Sequence, residues 1–422
     1  MKVNNPIIKR KKELLKQNKI IVFIEKIVRY TENKENLTYV LFDFPAYNSN
    51  INIFFELIQL DFIEGKSMLE IKNIRFDKAG IIPREGHYYN LPDNLIENFN
   101  WIPFNQNNSE LSNYIALSSD GIKEEIKFEK SVDYKNFAEE LVDNKKLPQA
   151  LETFKKIDSS QIEVDIYDVG QGNWNEICFN DSFLISYDLG ASSSSAFLKS
   201  FNNVITKQTR NLKINTLLNP NFNFKKILII SHWDIDHYNG IFEINDNIVK
   251  SYDFCLVPNK VENDTTKRAL DKLLKNTEVF PIEMSNKGRG RGATSVLTTI
   301  YDTNLLKIYK GTKCSDRNKR GLLLSLHAKQ VDFIFTGDHH YYQIDKYVIP
   351  NCNYDELNIV IPHHGGHAGN YNLMYRWINC NDSIISSGNK HGHPFPHIVD
   401  VCEDNFTNVY RTDLPFDYNK NF

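Results

Sequence analysis

Residues 231–237 read SHWDIDH and directly follow the apolar run ILII at 227–230. The apolar run predicts a buried strand, and a turn that leaves a strand can direct alternating side chains into one pocket. Mixed imidazole and carboxylate donors suit zinc, manganese or iron. The alternative is a strand-to-helix turn in which Asp234 or Asp236 caps a helix. The spacing therefore indicates a metal site, and the rest of the chain has to decide between the two interpretations.

Three further segments favour the metal site. VDIYDVGQGN at 164–173 reads as a strand with a glycine-bracketed turn, and FLISYDLG at 183–190 reads as a second strand of the same sheet. VDFIFTGD at 331–338 ends in a carboxylate, and IVIPHHGG at 359–366 ends in imidazoles. Strands that end in such groups are how a metal centre is built at the edge of a β-sandwich.

The order of these motifs, closed by SGNKHGHP at 387–394, resembles the metallo-β-lactamase superfamily. More closely, it resembles the branch that contains the C-terminal hydrolase domain of bacterial competence DNA-uptake channel proteins. The resemblance spans roughly residues 162–400. It implies an α/β fold, the αββα sandwich of that superfamily, which we expect to carry an additional N-terminal β-rich or α+β domain.

The resemblance also implies a set of metal ligands. The second motif of the superfamily reads His-x-His-x-Asp-His, so His232 matches the first ligand and Asp234 stands where a histidine is usual. Asp236 and His237 match the last pair of that motif. Asp338 matches the aspartate that bridges two metals.

Two more positions follow from the resemblance. The pair His363 and His364 matches the last histidine motif, and the sequence does not decide which of the two ligates. Asp188 matches an aspartate that supports the ligands through hydrogen bonds rather than by ligation, and we expect Asp168 to act in the same way.

Two departures from the superfamily pattern bear on the metal. Asp234 puts a carboxylate in place of an imidazole, which shifts the metal preference toward Mn²⁺, Fe²⁺ or Mg²⁺ without excluding Zn²⁺. We expect one or two divalent ions, Zn²⁺ or Mn²⁺, with Mg²⁺ or Fe²⁺ as alternatives. The only histidine between 237 and 338 is His327, which we interpret as an ordinary strand histidine. We expect one tight site at Asp236, His237, Asp338 and a histidine of the 363–364 pair, and a second, weaker site at His232, Asp234 and Asp338. A one-metal centre stays open.

The ligand set predicts hydrolysis, because a cation with an open position lowers the pKa of its bound water. Asp234 or Asp236 is expected to orient that water, and His393 to contact an oxygen of the substrate or to protonate the leaving group. Phosphodiesters of nucleic acids or nucleotides are the expected substrates. Hydrolysis of an ester, lactone or amide, or a non-catalytic binding subunit with a degenerate metal site, are the alternatives.

Charge gives only local information about the substrate. The chain has 50 Lys plus Arg and 53 Asp plus Glu, a formal net charge of −3, which excludes a general polyanion binder. Arg289 and Arg291 lie in a glycine-rich loop, and Lys319 and Arg320 precede the strand that leads to position 338. These four are the predicted phosphate contacts, and solvated loops are the alternative.

We divide the chain at residue 158. Residues 1–158 are expected to form the N-terminal module, which ends in a helical linker and is a candidate for binding a protein partner, and residues 159–422 the hydrolase. No apolar run approaches the length of about 18 residues that spans a membrane, and the N-terminus lacks the apolar segment of a secretory signal. We therefore expect a cytoplasmic protein without a membrane partner. The added module suggests an effector in defence against foreign DNA or phage, or in a toxin-like operon.

Overall fold

A computed structural model of the 422-residue chain describes these residues: 19–32, 35–46, 50–58, 68–76, 83–92, 95, 101–103, 114–117, 125–126, 139–140, 151–152, 161–170, 172–179, 183–191, 225–286, 295–314, 316–352, 355–388, 393–414 and 418–421. The first strands in chain order are β1 (Ile21–Glu32), β2 (Glu35–Asp43), β3 (Met68–Phe76), β4 (Tyr88–Asn90), β5 (Trp101–Pro103), β6 (Tyr114–Leu117), β7 (Glu125–Ile126) and β8 (Glu139–Glu140).

The later part of the chain contributes fifteen strands in the described ranges. They begin with β9 (Ile162–Ile166), β10 (Asn175–Phe179), β11 (Phe183–Tyr187), β12 (Lys225–Ile229), β13 (Phe254–Pro258), β14 (Lys260–Val261) and β15 (Glu278–Ile282). They continue with β16 (Thr298–Asp302), β17 (Leu306–Lys310), β18 (Leu322–Ala328), β19 (Val331–Phe335), β20 (Glu356–Val360), β21 (Cys380–Ile385), β22 (Asn408–Arg411) and β23 (Tyr418–Asn421).

The helices are shorter and lie between the strands. The α-helices are α1 (Asn50–Ile58), α2 (Ile235–Tyr238), α3 (Gly240–Glu243), α4 (Asp246–Lys250), α5 (Asp264–Asn276), α6 (Tyr341–Tyr347) and α7 (Pro396–Asn405). Short 3₁₀ helices cover Arg317–Lys319, Ile349–Asn351, Pro362–Gly365 and Tyr371–Arg376. No helix in the described ranges has the length and apolar character that crossing a bilayer requires.

The chain divides into two compact units. The first comprises Met1–Glu140 and Lys260–Leu270, and the second comprises Leu141–Asn259 and Asp271–Phe422. In the first unit, one sheet has the strand order β4-β1-β2-β3-β6-β5, with β7 paired to β3, and β8 pairs with β14. Buried side chains of this sheet and of helix α1, among them Phe42, Phe54 and Phe55, make its hydrophobic core.

Two seven-stranded mixed sheets build the second unit. Their strand orders are β15-β13-β12-β11-β10-β9-β23 and β16-β17-β18-β19-β20-β21-β22. In the first of these sheets, β11, β12, β13 and β15 run parallel, and in the second, β19 to β22 run parallel. The α/β class predicted from the sequence is confirmed.

One hydrophobic cluster contains side chains from both sheets of the second unit. Ile185 and Ile229 of the first sheet and Leu324 and Phe335 of the second are members, and all four are fully or almost fully buried. A second cluster joins alternate residues of the β18–β21 region, such as Leu323 and Ile359, to helices α6 and α7. Strands β12, β19 and β20 are therefore almost wholly buried, which explains why their sequences are largely apolar runs, whereas β9 alternates.

Candidate metal centre

The motif residues lie in the loops that follow four strands. Asp188 follows β11 and the SHWDIDH segment at 231–237 follows β12, which is parallel to β11 and paired with it from Phe183↔Lys225 to Tyr187↔Ile229. Asp338 follows β19, and the histidine pair follows its parallel neighbour β20. Because the carboxyl ends of parallel strands meet at one edge of a sheet, each sheet brings its own motifs together.

Asp188 anchors the first part of the centre. It has a positive φ of 63° and is fully buried. Its carboxylate accepts hydrogen bonds from the backbone N–H of Ser231 at 2.6 Å, from the Ser231 hydroxyl at 2.8 Å and from Nδ1 of His237 at 2.8 Å. Because Nδ1 of His237 carries the donated proton, its Nε2 carries the lone pair that a metal ligand needs.

The same reasoning assigns two more imidazoles. Nδ1 of His364 donates to the backbone carbonyl of Ser386 at 2.5 Å. The Ser231 hydroxyl donates to Asp188 and accepts from Nδ1 of His232 at 3.0 Å. In both histidines the neighbouring groups thus place the proton on Nδ1 and leave Nε2 as the donor atom for a cation.

The Nε2 atoms converge on the carboxylates. Nε2 of His237 lies 3.1 Å from Oδ1 of Asp338, and Nε2 of His232 lies 3.6 Å from Oδ2 of the same residue. Nε2 of His364 lies 3.3 Å from Oδ2 of Asp236. Two groups of three residues have ligand atoms within 4.8 Å of one another, namely His232, His237 and Asp338, and Asp236, His237 and His364.

These residues fit a divalent cation. Buried atoms without a hydrogen-bond partner in the described part of the chain include Nε2 of His232, His237 and His364 and both carboxylate oxygens of Asp338. Leaving a buried polar group unsatisfied costs about 1–3 kcal/mol, and more for a charged one. Five such atoms directed at one another make up a mixed nitrogen and oxygen donor set, which a divalent transition metal would satisfy.

Electrostatics keeps the carboxylate of Asp338 ionised. Burial alone would raise its pKa, but the neighbouring His237, His363 and His232 hold the pKa well below its usual value. For His237 without a bound cation, burial opposes protonation, but the carboxylates of Asp338 and Asp188 outweigh it and hold the pKa well above the usual value, so a cation at Nε2 would replace a proton there. The excess of negative charge around the imidazoles is the environment that favours a bound cation.

The structure separates the roles of the two consecutive histidines. Both His363 and His364 adopt left-handed backbone angles, with φ of 53° and 54°, a conformation that costs about 1–2 kcal/mol for a residue with a Cβ. His364 belongs to a ligand group with Asp236, whereas Nδ1 of His363 accepts a hydrogen bond from the side-chain amide of Asn318 at 2.6 Å. Nδ1 of His363 lies 3.4 Å from Oδ2 of Asp338, so His363 flanks the centre.

Asp234 is held by an arginine. Its Oδ1 forms an ion pair with Nε of Arg317 at 2.9 Å, and Nη1 of Arg317 donates to the carbonyl of Trp233 at 3.1 Å. Arg317 is only 6% exposed. Asp234 occupies the N-cap position of helix α2, but its side chain makes no capping hydrogen bond. The capping alternative is therefore not realised at Asp234, and Oδ2 of this residue lies 3.5 Å from Nε2 of His232.

His393 lies beside the histidine pair. Its ring centroid is 5.3 Å from that of His363, and the residue is 8% exposed. A Cβ added at Gly366 would lie 2.2 Å from Cε1 of His393, so only glycine at position 366 allows the ring to occupy this place. Such an imidazole can exchange a proton with a substrate bound at the centre.

Gly190 allows close contact between the loop that contains Asn173 and the turn that contains Asp236. A Cβ at Gly190 would lie 2.0 Å from the backbone oxygen of Asp236 and 2.4 Å from the backbone nitrogen of Asn173. The Asn173 N–H donates to that Asp236 oxygen at 3.0 Å, and Gly190 N–H donates to the Asn173 oxygen at 2.7 Å. The DVGQGN motif therefore helps to position the SHWDIDH turn through a main-chain hydrogen bond from Asn173 to Asp236.

The other predicted residues lie in different environments. Asp168 accepts a hydrogen bond from Gly170 N–H in its own turn at 3.1 Å. Nζ of Lys319 pairs with Asp316 at 2.6 Å, and the buried Arg320 donates to the carbonyl of Cys314 at 3.4 Å. The remaining predicted phosphate contacts, Arg289 and Arg291, lie outside the described residues.

His327 lies in β18, as expected for a strand histidine. Its Nδ1 is 2.5 Å from Oδ1 of Asp332 on the neighbouring strand, and its Nε2 is 2.6 Å from the Ser325 hydroxyl. It belongs to neither ligand group of the described residues.

Three site residues were not identified in advance. Ser231 connects Asp188 to His232, the Ser386 carbonyl orients His364, and Arg317 pairs with Asp234. Only Arg317 had a sequence signal, since it lies within a basic segment before β18, but that segment suggested phosphate contacts rather than an ion pair with a ligand candidate. A serine hydroxyl and a backbone carbonyl carry no distinguishing pattern.

No protein-family profile matches this chain, and no curated protein does. Among solved structures, the chain is similar to a mutant of CmlA beta-hydroxylase, with 14% sequence identity and a TM-score of 0.31. The match covers 62% of this chain and 54% of that chain, so the present protein spans about half the length of this neighbour. A likeness of this size carries no argument about the function, which we take from the site itself.

Proposed function

We propose that the second unit is a metal-dependent hydrolase with the αββα sandwich of the metallo-β-lactamase superfamily, acting on phosphodiester bonds. One observation carries the proposal: ligand atoms from the loops after β12, β19 and β20 lie within 4.8 Å of one another in groups of three, and most have no other hydrogen-bond partner. Without a cation, these buried and unsatisfied polar atoms would destabilise the folded protein. Metal binding is therefore the first element of the proposal.

The chemistry follows from the donor set. A divalent cation held at such a site, Zn²⁺ or Mn²⁺ by our expectation, would lower the pKa of water and so supply a nucleophile near neutral pH. Asp236 stands beside His364 in one ligand group and is the residue best placed to orient a water molecule. The imidazole of His393, next to His363, is the candidate for handing a proton to the leaving group.

The phosphodiester substrate is supported by the order of the motifs, whereas Lys319 and Arg317 of the basic segment pair with Asp316 and Asp234. Nucleic acids and nucleotides are the substrates that this chemistry suggests. We extend the proposal to a cytoplasmic effector in defence, with the N-terminal module, residues 1–158, as the part that binds a protein partner. A neighbourhood of purely metabolic genes would argue against the defence role.

Cleavage assays test the proposal directly. The full chain is incubated with single- and double-stranded DNA and RNA and with bis(p-nitrophenyl) phosphate, in the presence of Mn²⁺, Mg²⁺ or Zn²⁺, beside Asp236→Ala. Asp302→Ala, which removes a largely exposed carboxylate outside both ligand groups, is the matched control. We expect cleavage by the wild type and by Asp302→Ala and none by Asp236→Ala.

Two other outcomes would redirect the proposal. Cleavage of esters or lactones without cleavage of any phosphodiester would establish the alternative hydrolase. A wild-type protein that binds metal and cleaves none of these substrates would instead favour a binding or assembly subunit.

A further inference from the structure

The number of free lone pairs limits how many cations the centre can bind. His237 appears in both ligand groups, yet it offers one lone pair, because its Nδ1 donates to Asp188. A cation that takes Asp236, His237 and His364 leaves His232 and Asp338 for a second cation. A second complete site would need a third protein donor.

Asp234 is the residue that would have to provide this donor, since it lies where the sequence pattern expects a ligand. Its Oδ1 is instead engaged by Nε of Arg317 at 2.9 Å. Its Oδ2 lies 3.5 Å from Nε2 of His232, but Asp234 belongs to neither ligand group of the described residues. The guanidinium of Arg317 is buried and stays positively charged at every pH the fold tolerates. A second cation on Asp234 would therefore meet a like charge at short range.

We propose that the centre holds one divalent cation, bound by Asp236, His237 and His364 with Asp338 beside them. The positive charge that a second cation would supply near Asp234 is supplied instead by the guanidinium of Arg317. This inference rests on the proposed function only in that the centre binds metal. Arg317 acts as a positioning residue: it holds Asp234 and supplies a fixed positive charge beside that carboxylate, whose Oδ2 lies 3.5 Å from Nε2 of His232. The expected second, weaker metal site is then replaced by a side chain of the protein itself.

Metal stoichiometry tests the inference with Mn²⁺ as the probe. The full chain is stripped with a chelator and titrated with Mn²⁺, and bound metal per chain is measured by equilibrium dialysis, with electron paramagnetic resonance of the bound ion. We expect one Mn²⁺ per chain and an uncoupled signal for the wild type. Arg317→Met releases Asp234 and is expected to bind two Mn²⁺ per chain, with the spectrum of an exchange-coupled pair.

Arg411→Met is the matched control. Like Arg317, Arg411 forms an ion pair with an aspartate: it lies 2.6 Å from Asp413, whose side chain is only 2% exposed, and both residues are outside the two ligand groups. It should still bind one Mn²⁺. If Arg317→Met does not fold, Asp234→Asn gives an independent test: we expect one Mn²⁺ bound within about threefold of the wild-type affinity. A loss of tenfold or more in that variant would show that Asp234 is a ligand and would overturn the inference.

The remaining outcomes separate this inference from the proposed function. Two Mn²⁺ per wild-type chain, or one in a folded Arg317→Met, would overturn the role of Arg317 even if the protein cleaves phosphodiesters. One Mn²⁺ per chain without any cleavage would support the inference and count against the hydrolase. A wild type that binds no Mn²⁺, Zn²⁺ or Fe²⁺ would refute the metal centre on which both depend.

Discussion

Replacing Asp188 by asparagine should weaken metal binding although Asp188 is in neither ligand group. In the wild type, one carboxylate oxygen accepts from the Ser231 N–H, and the other accepts from both the Ser231 hydroxyl and Nδ1 of His237. In Asp188→Asn the first bond can persist, but an amide NH₂ would face two donors. His237 can recover a hydrogen bond only by moving its proton to Nε2, which blocks the lone pair that faces Asp338.

The size of the effect follows from this geometry. Loss of a carboxylate that orients a ligating histidine typically costs about 10–100-fold in metal affinity, which corresponds to about 1.4–2.8 kcal/mol. In the metal-free protein, two hydrogen bonds to a charged group are lost, so the free energy of unfolding should fall on the order of 3 kcal/mol.

Two measurements check the prediction. Mn²⁺ affinity is measured by competition with a chromophoric chelator, and stability by urea unfolding of the metal-free protein. Asp382→Asn is the control, because Asp382 is buried and accepts hydrogen bonds from Tyr418 and Asn408, but lies in neither ligand group. It should lose stability and keep its affinity for Mn²⁺. If folded Asp188→Asn binds Mn²⁺ as tightly as the wild type, the argument from the proton position in His237 is wrong.

Three further predictions concern other parts of the second unit. His364→Ala should lower Mn²⁺ affinity about 10-fold or more, whereas His363→Ala should bind Mn²⁺ nearly as the wild type does; equal losses in isothermal titration would contradict the assignment of His364 as the ligand. Gly190→Ala should lower the free energy of unfolding by about 3 kcal/mol, because its Cβ would lie 2.0 Å from the Asp236 oxygen, and an unchanged urea midpoint would contradict that contact. Burial lowers the pKa of Lys226 to about 8, so between pH 8 and 10.5 the unfolded chain binds more protons and this residue makes stability rise with pH; the rise should be absent in Lys226→Met, as measured by urea unfolding across that range.

The α/β class and the edge that carries the site could be predicted from the sequence because both depend on local patterns. Buried parallel strands need apolar runs, and a turn after such a strand needs few residues to display several ligands, so SHWDIDH after ILII is visible in one window. The same holds for the carboxylate after β19 and the imidazoles after β20.

The choice between neighbouring residues depended on contacts between distant segments. His363 and His364 are adjacent and chemically identical. Among the described contacts, the Asn318 amide, 45 residues away, and the Ser386 carbonyl, 22 residues away, give their Nδ1 atoms opposite hydrogen-bonding roles. The motif predicts Asp234 as a ligand from its position within a few residues. Its ion pair with Arg317 joins two distant segments and has no local signal in the sequence.

The sequence by itself therefore determined which chemical groups reach the centre and which strands deliver them, since hydrophobic period and motif spacing act over a few residues. Only the tertiary structure showed which nitrogen of each imidazole points toward the carboxylates, which of the paired histidines lies in a candidate ligand group and which cation pairs with Asp234. Those choices are made by hydrogen bonds and ion pairs across the two sheets. Their partners come from segments that no local sequence pattern connects.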